Sequence, residues 1–203
     1  MSLDNMEPII NWKEIKTVLF DMDGTLLDLY FDYYFWQEYL PEKWAKKNNM
    51  STQEAKIKLL DWYEKESGTL SWYCLDFWAQ KLNFDVFALK ADVQHLIKYR
   101  PHAESFLRRL NDSDLSLIMV TNAHEKLIRM KTEETGIDTF FSEIISSHSI
   151  GHAKEENAFW EKLKFKVPFD ENKTLLIDDN LTVLRTAREF GIKYLLTVTK
   201  PNS

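Results

Sequence analysis

The stretch TVLFDMDGTLLD, Thr17 to Asp28, joins an uninterrupted apolar run to two closely spaced carboxylates. The run TVLF does not alternate with polar residues, which is typical of a parallel strand that is buried on both faces. Asp21 and Asp23 follow it, and a Gly-Thr pair comes next. A single Asp-x-Asp pair is usually a solvated turn, so the meaning of this pair depends on what the rest of the chain brings to it.

Four further apolar runs resemble this strand, and polar helical patterns separate them. The runs are LSLIMV (115–120), EIISS (143–147), TLLI (174–177) and YLLTV (194–198). Alternation of strand and helix implies right-handed crossovers and a parallel sheet that is covered by helices on both faces. We therefore predict an α/β fold with a Rossmann-like, doubly wound parallel sheet as its core.

Helix boundaries follow from punctuating residues. Pro101 is expected at the first position of one helix, and Asn122 is expected to start another that ends at Gly136. Asn180 is expected to start a third helix, which Gly191 caps. Its apolar face is predicted to hold Leu181, Leu184 and Ala187.

The interval between Thr25 and the strand at 115–120 is too long for one crossover, which needs roughly 30 residues. Ser51 to Glu54 is a capping box that opens a helix, and the tryptophans and leucines between Trp72 and Leu82 form an apolar stripe. Five of the seven tryptophans and seven of the eight tyrosines lie within 30–99, which sets this segment apart. We predict that residues 28–100 form an inserted α-helical cap domain and that residues 1–27 and 101–203 form the catalytic core.

Composition excludes several classes of function. The chain has 203 residues, 44% of them hydrophobic, which suits a globular protein, and a net charge of −6 argues against a nucleic-acid polymer as partner. Its apolar runs are too short for a membrane span, and MSLDNMEPII lacks a secretory pattern, so we expect a cytoplasmic protein without a membrane partner. The single cysteine, Cys74, lies among aromatic residues and is expected to be a buried, inert thiol. Nothing in the sequence specifies an oligomeric state.

Polar residues follow four of the predicted strands. The carboxyl ends of parallel strands form one ligand crevice, so these residues are expected to converge. Each motif alone is also consistent with a helix cap or turn, but their joint occurrence in this order favours a functional site. The residues are Asp21 and Asp23, Thr121 and Asn122, Lys154, and Asp178 and Asp179.

These motifs resemble a known family. DMDGT, the TN pair, the lysine of GHAKEE and the IDD triplet are similar to the four motifs of the haloacid dehalogenase-like hydrolase superfamily, and the insertion resembles the helical cap of its phosphatase branch. The stretches TLSWYCLDFW and FGIKYLLTVTKP resemble bacterial purine (GMP/IMP) nucleotidases. One departure is Glu155, where many relatives have proline; because Glu is favourable in a first helical turn, Lys154 is expected to keep its place.

The repelling carboxylates are explained if a divalent cation lies among them. Asp21, Asp178 and Asp179 offer hard oxygen ligands, which suit Mg²⁺, with Mn²⁺ or Co²⁺ as substitutes. The resemblance implies that Asp23 binds the metal through its backbone carbonyl and that Asp178 binds either directly or through water.

The resemblance also implies the chemistry. Asp21 would be the nucleophile that forms an aspartyl-phosphate, and Asp23 would protonate the leaving alcohol and then deprotonate water. The Thr121 hydroxyl, the backbone amides near Asn122, and Lys154 would bind the phosphoryl oxygens.

The expected function is Mg²⁺-dependent hydrolysis of purine 5'-monophosphates, with GMP or IMP as the first choice, by an enzyme whose partner is a small phosphomonoester. Tyr33 and Trp72 are the candidates for contact with the base, although a core role fits either residue equally well. The alternatives are a phosphatase or phosphomutase for another small metabolite, such as flavin mononucleotide or a sugar phosphate, and a non-catalytic phosphate-binding module.

Overall fold

The computed structural model describes residues 10–202 of the chain. Residues 1–9 and 203, which the predicted division assigns to the core, lie outside the described residues. Within the described range the strands are β1 Thr17–Phe20, β2 Ser116–Thr121, β3 Glu143–Ser146, β4 Thr174–Asp178 and β5 Tyr194–Thr197. They form one parallel sheet in the order β3-β2-β1-β4-β5, so the predicted Rossmann-like sheet is confirmed.

Strand β1 occupies the centre of the sheet and is buried along its whole length. Thr17 pairs with Ser116 of β2 on one side and with Thr174 of β4 on the other. Because successive side chains of a strand point to opposite faces, Val18 belongs to one apolar cluster and Leu19 to the other. Two cores, one on each face of the sheet, are the defining property of a doubly wound fold.

The chain between β1 and β2 is helical. The helices are α1 Tyr30–Tyr34, α2 Leu40–Lys47, α3 Thr52–Glu66, α4 Leu70–Tyr73, α5 Leu75–Leu82, α6 Val86–Ala91 and α7 Ala103–Asn111. A π-helical turn, Phe35–Tyr39, joins α1 to α2. Helices α1 to α6, called the insertion below, lie where the sequence predicts the inserted cap, and α7 lies in the predicted core. The division at residues 28 and 100 itself stays a prediction.

Four helices follow among the remaining strands: α8 Glu125–Thr135, α9 Ser147–Ile150, α10 Asn157–Lys166 and α11 Leu181–Phe190. Gly136 ends α8 and Gly191 ends α11, both with a left-handed backbone, as expected. Asn180 caps α11, since its side chain accepts a hydrogen bond from the backbone N–H of Thr182.

Two predicted helix starts are wrong. α7 begins at Ala103 and not at Pro101, because His102 has a left-handed backbone with φ of 68° that separates the proline from the helix. α8 begins at Glu125 after the N-cap His124, and Asn122 lies before it. The Asn122 side chain cannot serve as the cap because it is bonded to Lys154 and Glu155.

Two predicted apolar patterns also differ from the structure. Leu181 is 57% exposed, because it occupies the first position of α11, whereas Leu184 and Ala187 are buried as expected. The predicted stripe from Trp72 to Leu82 spans two helices, since the extended backbone of Cys74 ends α4. Cys74 is only half-buried, and its sulfur caps α5 by accepting a hydrogen bond from the N–H of Phe77.

Candidate active site

The residues singled out at the strand ends and in the insertion line a single cavity of about 450 Å³. It lies at the carboxyl edge of the sheet, where β1, β2 and β4 end, and side chains of the insertion also line it. The sequence-predicted residues on its wall are Asp21, Asp23, Tyr33, Trp72, Thr121, Asn122, Lys154, Asp178 and Asp179.

Three of these carboxylates form a compact group. Asp21 follows β1, Asp178 is the last residue of β4, and Asp179 comes next. One oxygen from each of the three lies within 4.8 Å of the others. Since β1 and β4 are neighbours in parallel register, the ends of both strands deliver their carboxylates to the same point.

Lys154 is the cation at the centre of this group. Its Nζ donates to Asp21 Oδ1 at 2.6 Å, to Asp178 Oδ2 at 2.7 Å and to the carbonyl of Val120 at 3.2 Å. Burial alone would lower the pKa of Lys154, but attraction by Asp178 and Asp21 outweighs it and raises the pKa above its usual value. The lysine is therefore charged and fixed between the ends of β1 and β4.

A single lysine does not neutralise three carboxylates. Burial, and repulsion by neighbouring carboxylates, raise the pKa of Asp21 to about 6 and that of Asp179 to about 7, with Lys154 opposing both shifts. The three carboxylates thus supply several hard oxygen ligands for a metal ion, and Lys154 alone provides too little positive charge to balance them. This donor set fits a divalent cation such as Mg²⁺, which Asp21, Asp178 and Asp179 would hold.

The backbone conformation at position 24 and the nearby Asp179 side chain explain why the DMDGT motif has a glycine there. Its backbone is left-handed, with φ of +80°, and a Cβ at this position would lie 2.4 Å from Asp179 Oδ2. Any other residue would therefore be strained and would push the Asp179 carboxylate out of place.

Asp23 faces a second buried cation, Lys131 of α8, which the sequence analysis missed. Lys131 Nζ donates to Asp23 Oδ1 at 2.6 Å and to Asp32 Oδ2 at 2.7 Å. Asp32 in turn accepts from Lys90 of α6 at 2.6 Å. A sequence signal was present, because Lys131 lies four residues after Leu127 on the buried face of α8, where an isolated lysine would be costly.

These charges set the protonation of Asp23. Burial raises its pKa to about 6, Lys131 opposes this shift, and the nearby carboxylates of Asp32 and Asp21 support it. Burial raises the pKa of Asp32, but Lys131 and Lys90 lower it more strongly, so this pKa lies below the usual range. Asp23 therefore takes up a proton more readily than Asp32, the other carboxyl group that is paired with Lys131. This property suits an acid–base catalyst.

The loop after β2 is held by its own side chains. Thr121 Oγ1 accepts from the N–H of Ala123 at 3.0 Å, and Asn122 Oδ1 accepts from the backbone N–H of Lys154 at 2.9 Å. Contrary to the prediction, Glu155 does not lie in the first turn of a helix. It lies in the turn before α10. Its side chain instead bonds to Asn122, Tyr73 and Asn180.

Aromatic side chains of the insertion form the far wall of the cavity. Tyr33 is 51% exposed, and the rings of Trp72 and Trp36 stack with their centroids 6.0 Å apart. The π-helical turn places Trp36 and Gln37 side by side on this wall, so Gln37 adds a polar group that the sequence analysis missed. Turns of this kind are frequent at functional sites.

This arrangement of strand-end carboxylates, a buried lysine and a helical insertion is that of the haloacid dehalogenase-like hydrolases. The chain belongs to this family, whose sequence pattern matches residues 15–191. It is an enzyme of the phosphoric monoester hydrolase class.

The chain is 40% identical over 194 residues to the GMP/IMP nucleotidase YrfG of Escherichia coli (strain K12), a match that covers 96% of this chain and 87% of that protein. Among solved structures, a phosphatase of the same family from Thermococcus onnurineus aligns with a TM-score of 0.79 at 21% identity, over 91% of this chain and 86% of that one. A family member from Bacteroides thetaiotaomicron, in complex with magnesium and inorganic phosphate, aligns with a TM-score of 0.67 at 14% identity, over 93% and 96% of the two chains. These two likenesses confirm the fold.

In residues 10–202, every helix is too short or too polar to cross a membrane.

Proposed function

We propose that the protein is a Mg²⁺-dependent phosphomonoesterase that hydrolyses purine 5'-monophosphates, with GMP and IMP as the preferred substrates. The observation that carries the proposal is the 40% identity to a GMP/IMP nucleotidase along nearly the whole chain, combined with an intact set of strand-end groups around one cavity. The net charge of −6 supports a small-molecule substrate over a nucleic-acid polymer, and we propose a cytoplasmic location.

In the first step, an Asp21 carboxylate oxygen attacks phosphorus. A bond from phosphorus to this oxygen forms, the bond from phosphorus to the nucleoside 5'-oxygen breaks, and Asp23 gives its proton to the departing oxygen. In the second step Asp23 takes a proton from water, whose oxygen attacks phosphorus and releases Asp21 and inorganic phosphate. The two carboxylates have separate roles because Asp21 contacts Lys154 while Asp23 contacts Lys131.

Asp21, Asp178 and Asp179 would hold the magnesium ion, together with the backbone carbonyl of Asp23. When bound, the ion supplies positive charge that lets a phosphate dianion enter beside the carboxylates, and Mn²⁺ or Co²⁺ can take its place. Lys154, the Thr121 hydroxyl and the backbone amides near Asn122 bind the phosphoryl oxygens where negative charge develops.

Residues 28–100 act as a cap that contacts the leaving group. Tyr33 and Trp72 lie on the cavity wall, and stacking of a base on an aromatic ring contributes roughly 1–3 kcal/mol. Binding energy from the base, remote from the reacting phosphorus, can be used to align the substrate with Asp21.

A substrate panel tests the proposal. Purified protein with Mg²⁺ is expected to hydrolyse GMP and IMP with a higher kcat/KM than pyrimidine monophosphates, flavin mononucleotide or sugar phosphates, and excess chelator is expected to abolish activity. Asp21→Asn is expected to remove turnover while the fold is retained. If this variant had activity near the wild-type level, Asp21 would not be the nucleophile and the proposed mechanism would be wrong.

The base-stacking role has its own comparison. Tyr33→Ala or Trp72→Ala is expected to lower kcat/KM for GMP by about five- to 150-fold, since stacking is worth roughly 1–3 kcal/mol, and to change p-nitrophenyl phosphate hydrolysis little. Tyr34→Ala is the control, because Tyr34 neighbours Tyr33 but lies outside the cavity wall. A preference for sugar phosphates over every nucleotide would refute the proposed purine specificity but would leave the proposed phosphomonoesterase activity intact.

A further inference from the structure

Glu155 connects three separate parts of the protein. Its Oε1 accepts from the hydroxyl of Tyr73 at 2.7 Å and from Asn180 Nδ2 at 3.1 Å, and its Oε2 accepts from Asn122 Nδ2 at 2.9 Å. Tyr73 ends α4 in the insertion, Asn122 follows β2, and Asn180 caps α11 after β4. One carboxylate thus holds the insertion and two strand ends of the core together.

The contact with Asn122 fixes the orientation of that side chain. Because Nδ2 points to Glu155, Oδ1 of the same amide faces the backbone N–H of Lys154 and accepts from it at 2.9 Å. Lys154 then extends to Asp21 and Asp178. Rotation of the Asn122 amide would place a donor against the Lys154 N–H and remove this support.

The contact with Asn180 acts in the same way on the other strand end. While Asn180 Nδ2 donates to Glu155, its Oδ1 caps α11 and its backbone N–H donates to Asp178 Oδ1 at 2.9 Å. Glu155 therefore supports both sides of the carboxylate and lysine group without lining the cavity itself.

Tyr73 supplies the link to the insertion. It lies on the cavity wall beside Trp72, and its hydroxyl can reach Glu155 only while α4 packs against the loop that carries Lys154. Removal of α4 from the cavity would break this bond and leave the half-buried Glu155 carboxylate with one partner fewer.

We propose that Glu155 is a positioning residue that aligns Asn122 and Lys154 for the phosphoryl group, and that Tyr73 makes this alignment depend on closure of the insertion over the cavity. The proposal rests on the phosphomonoesterase function described above but not on the identity of the nucleotide.

The first test is the variant Glu155→Gln. The new amide would offer one acceptor oxygen and one NH₂ group to three donors, so at least one donor loses its partner. We expect kcat for p-nitrophenyl phosphate to fall about tenfold or more, as is typical for the loss of hydrogen bonds to a charged group. Affinity for inorganic phosphate, measured by calorimetry, should fall in parallel. Glu156→Gln is the matched control, because Glu156 is the next carboxylate along the chain and bonds to Ala153 and His152 instead.

The second test removes only the link to the insertion. Tyr73→Phe is expected to raise KM for the nucleotide and for p-nitrophenyl phosphate, because closure is less favourable, while kcat changes less than in Glu155→Gln. Tyr39→Phe is the control, since it also loses a 2.7 Å hydrogen bond from a tyrosine hydroxyl to a carboxylate, that of Asp92, within the insertion. Thermal unfolding of each variant separates loss of alignment from loss of fold.

The double variant decides whether the two residues act together. Because the Tyr73 hydroxyl acts through Glu155, the combined loss in kcat/KM should be close to that of Glu155→Gln alone. Additive losses would refute the coupling, and wild-type kinetics in a folded Glu155→Gln variant would refute the positioning role. Since p-nitrophenyl phosphate requires only phosphatase activity, a wrong nucleotide assignment leaves these outcomes intact, whereas an inactive wild-type protein would count against the proposed function itself.

Discussion

Asp32 moderates the effect of Lys131 on Asp23. Burial raises the pKa of Asp23 to about 6, and Lys131 opposes this shift by favouring the ionised carboxylate. Because Lys131 also donates to Asp32, the negative charge of Asp32 lies close enough to support the raised pKa. A carboxyl group that exchanges its proton near neutral pH suits the two opposite transfers of the proposed reaction.

Asp23→Asn tests this acid–base role. The variant is expected to lose most turnover of a nucleotide monophosphate, whose alkoxide leaving group needs a proton. It should retain relatively more activity with p-nitrophenyl phosphate, whose leaving group is stable without one. Steady-state kinetics with both substrates gives the comparison, and equal losses would exclude Asp23 as the acid.

Asp179 makes stability depend on pH. Its pKa is raised to about 7 by burial and by repulsion from Asp21 and Asp178, compared with about 4 in an unfolded chain. Between these values the folded protein binds the proton more tightly, so the stabilisation from Asp179 is fully present below about pH 4 and is lost as pH rises through about 7.

In chelator, the Tm of the wild type is therefore expected to fall relative to that of Asp179→Asn between about pH 5 and pH 8. Magnesium should stabilise the wild type more at the upper end of this range than at the lower end, because it competes with the proton for the same oxygens. Thermal unfolding at a series of pH values checks both expectations. Parallel curves for the two proteins would mean that Asp179 ionises normally.

At the scale of single elements, α3 shows how local sequence sets a helix boundary. Ser51 and Glu54 form a reciprocal capping box, in which the Ser51 hydroxyl accepts from the Glu54 N–H and the Glu54 carboxylate accepts from the Ser51 N–H. This arrangement satisfies backbone donors that would otherwise be free at the first turn. The predicted start of α3 is confirmed because these contacts involve neighbours in the sequence.

Ser51→Ala is expected to lower the free energy of unfolding by about 1 kcal/mol, the usual cost of losing an N-cap side chain. Urea denaturation gives the value. Ser67→Ala at the other end of α3 is the control, because Ser67 follows the helix as its C-cap. A loss at Ser67 as large as that at Ser51 would contradict the capping explanation.

At the scale of the whole molecule, buried ion pairs join the insertion to the core. Lys131 comes from α8, which follows β2, while Asp32 and Lys90 come from α1 and α6 of the insertion. The side chains of Lys131 and Lys90 are 1% and 0% exposed. Since each buried charge here depends on a partner from another element, loss of one leaves others without compensation.

Lys131→Met is expected to destabilise the protein by about 3–5 kcal/mol, the typical effect of removing one partner from a buried pair. Lys65→Met is the control, because Lys65 forms a pair of the same 2.6 Å length with Asp61, but on the exposed surface, and should change stability little. Denaturant unfolding compares the two. Equal effects would show that burial does not govern the strength of these pairs.

The sequence by itself determined the sheet and the composition of the candidate site. Uninterrupted apolar runs locate all five strands to within one residue at their ends. β1, β2 and β4 leave this pattern because they are buried along nearly their whole length, whereas the edge strands β3 and β5 are partly exposed and less buried than the sequence predicts. The motif residues could be grouped for a related reason, since parallel strands deliver their carboxyl ends to one edge. Their catalytic roles remain proposals.

Only the tertiary structure decided which side chains of distant segments meet. Asp23 and Lys131 are 108 residues apart, and Tyr73 and Glu155 are 82 apart, so no local pattern relates them. The wrong helix start at Asn122 has the same cause, because its amide is bonded to Lys154 and Glu155 rather than to its own helix. Local hydrogen bonds and periodic burial are encoded by neighbours in sequence, whereas the pairing of buried charges depends on how the insertion packs against the sheet.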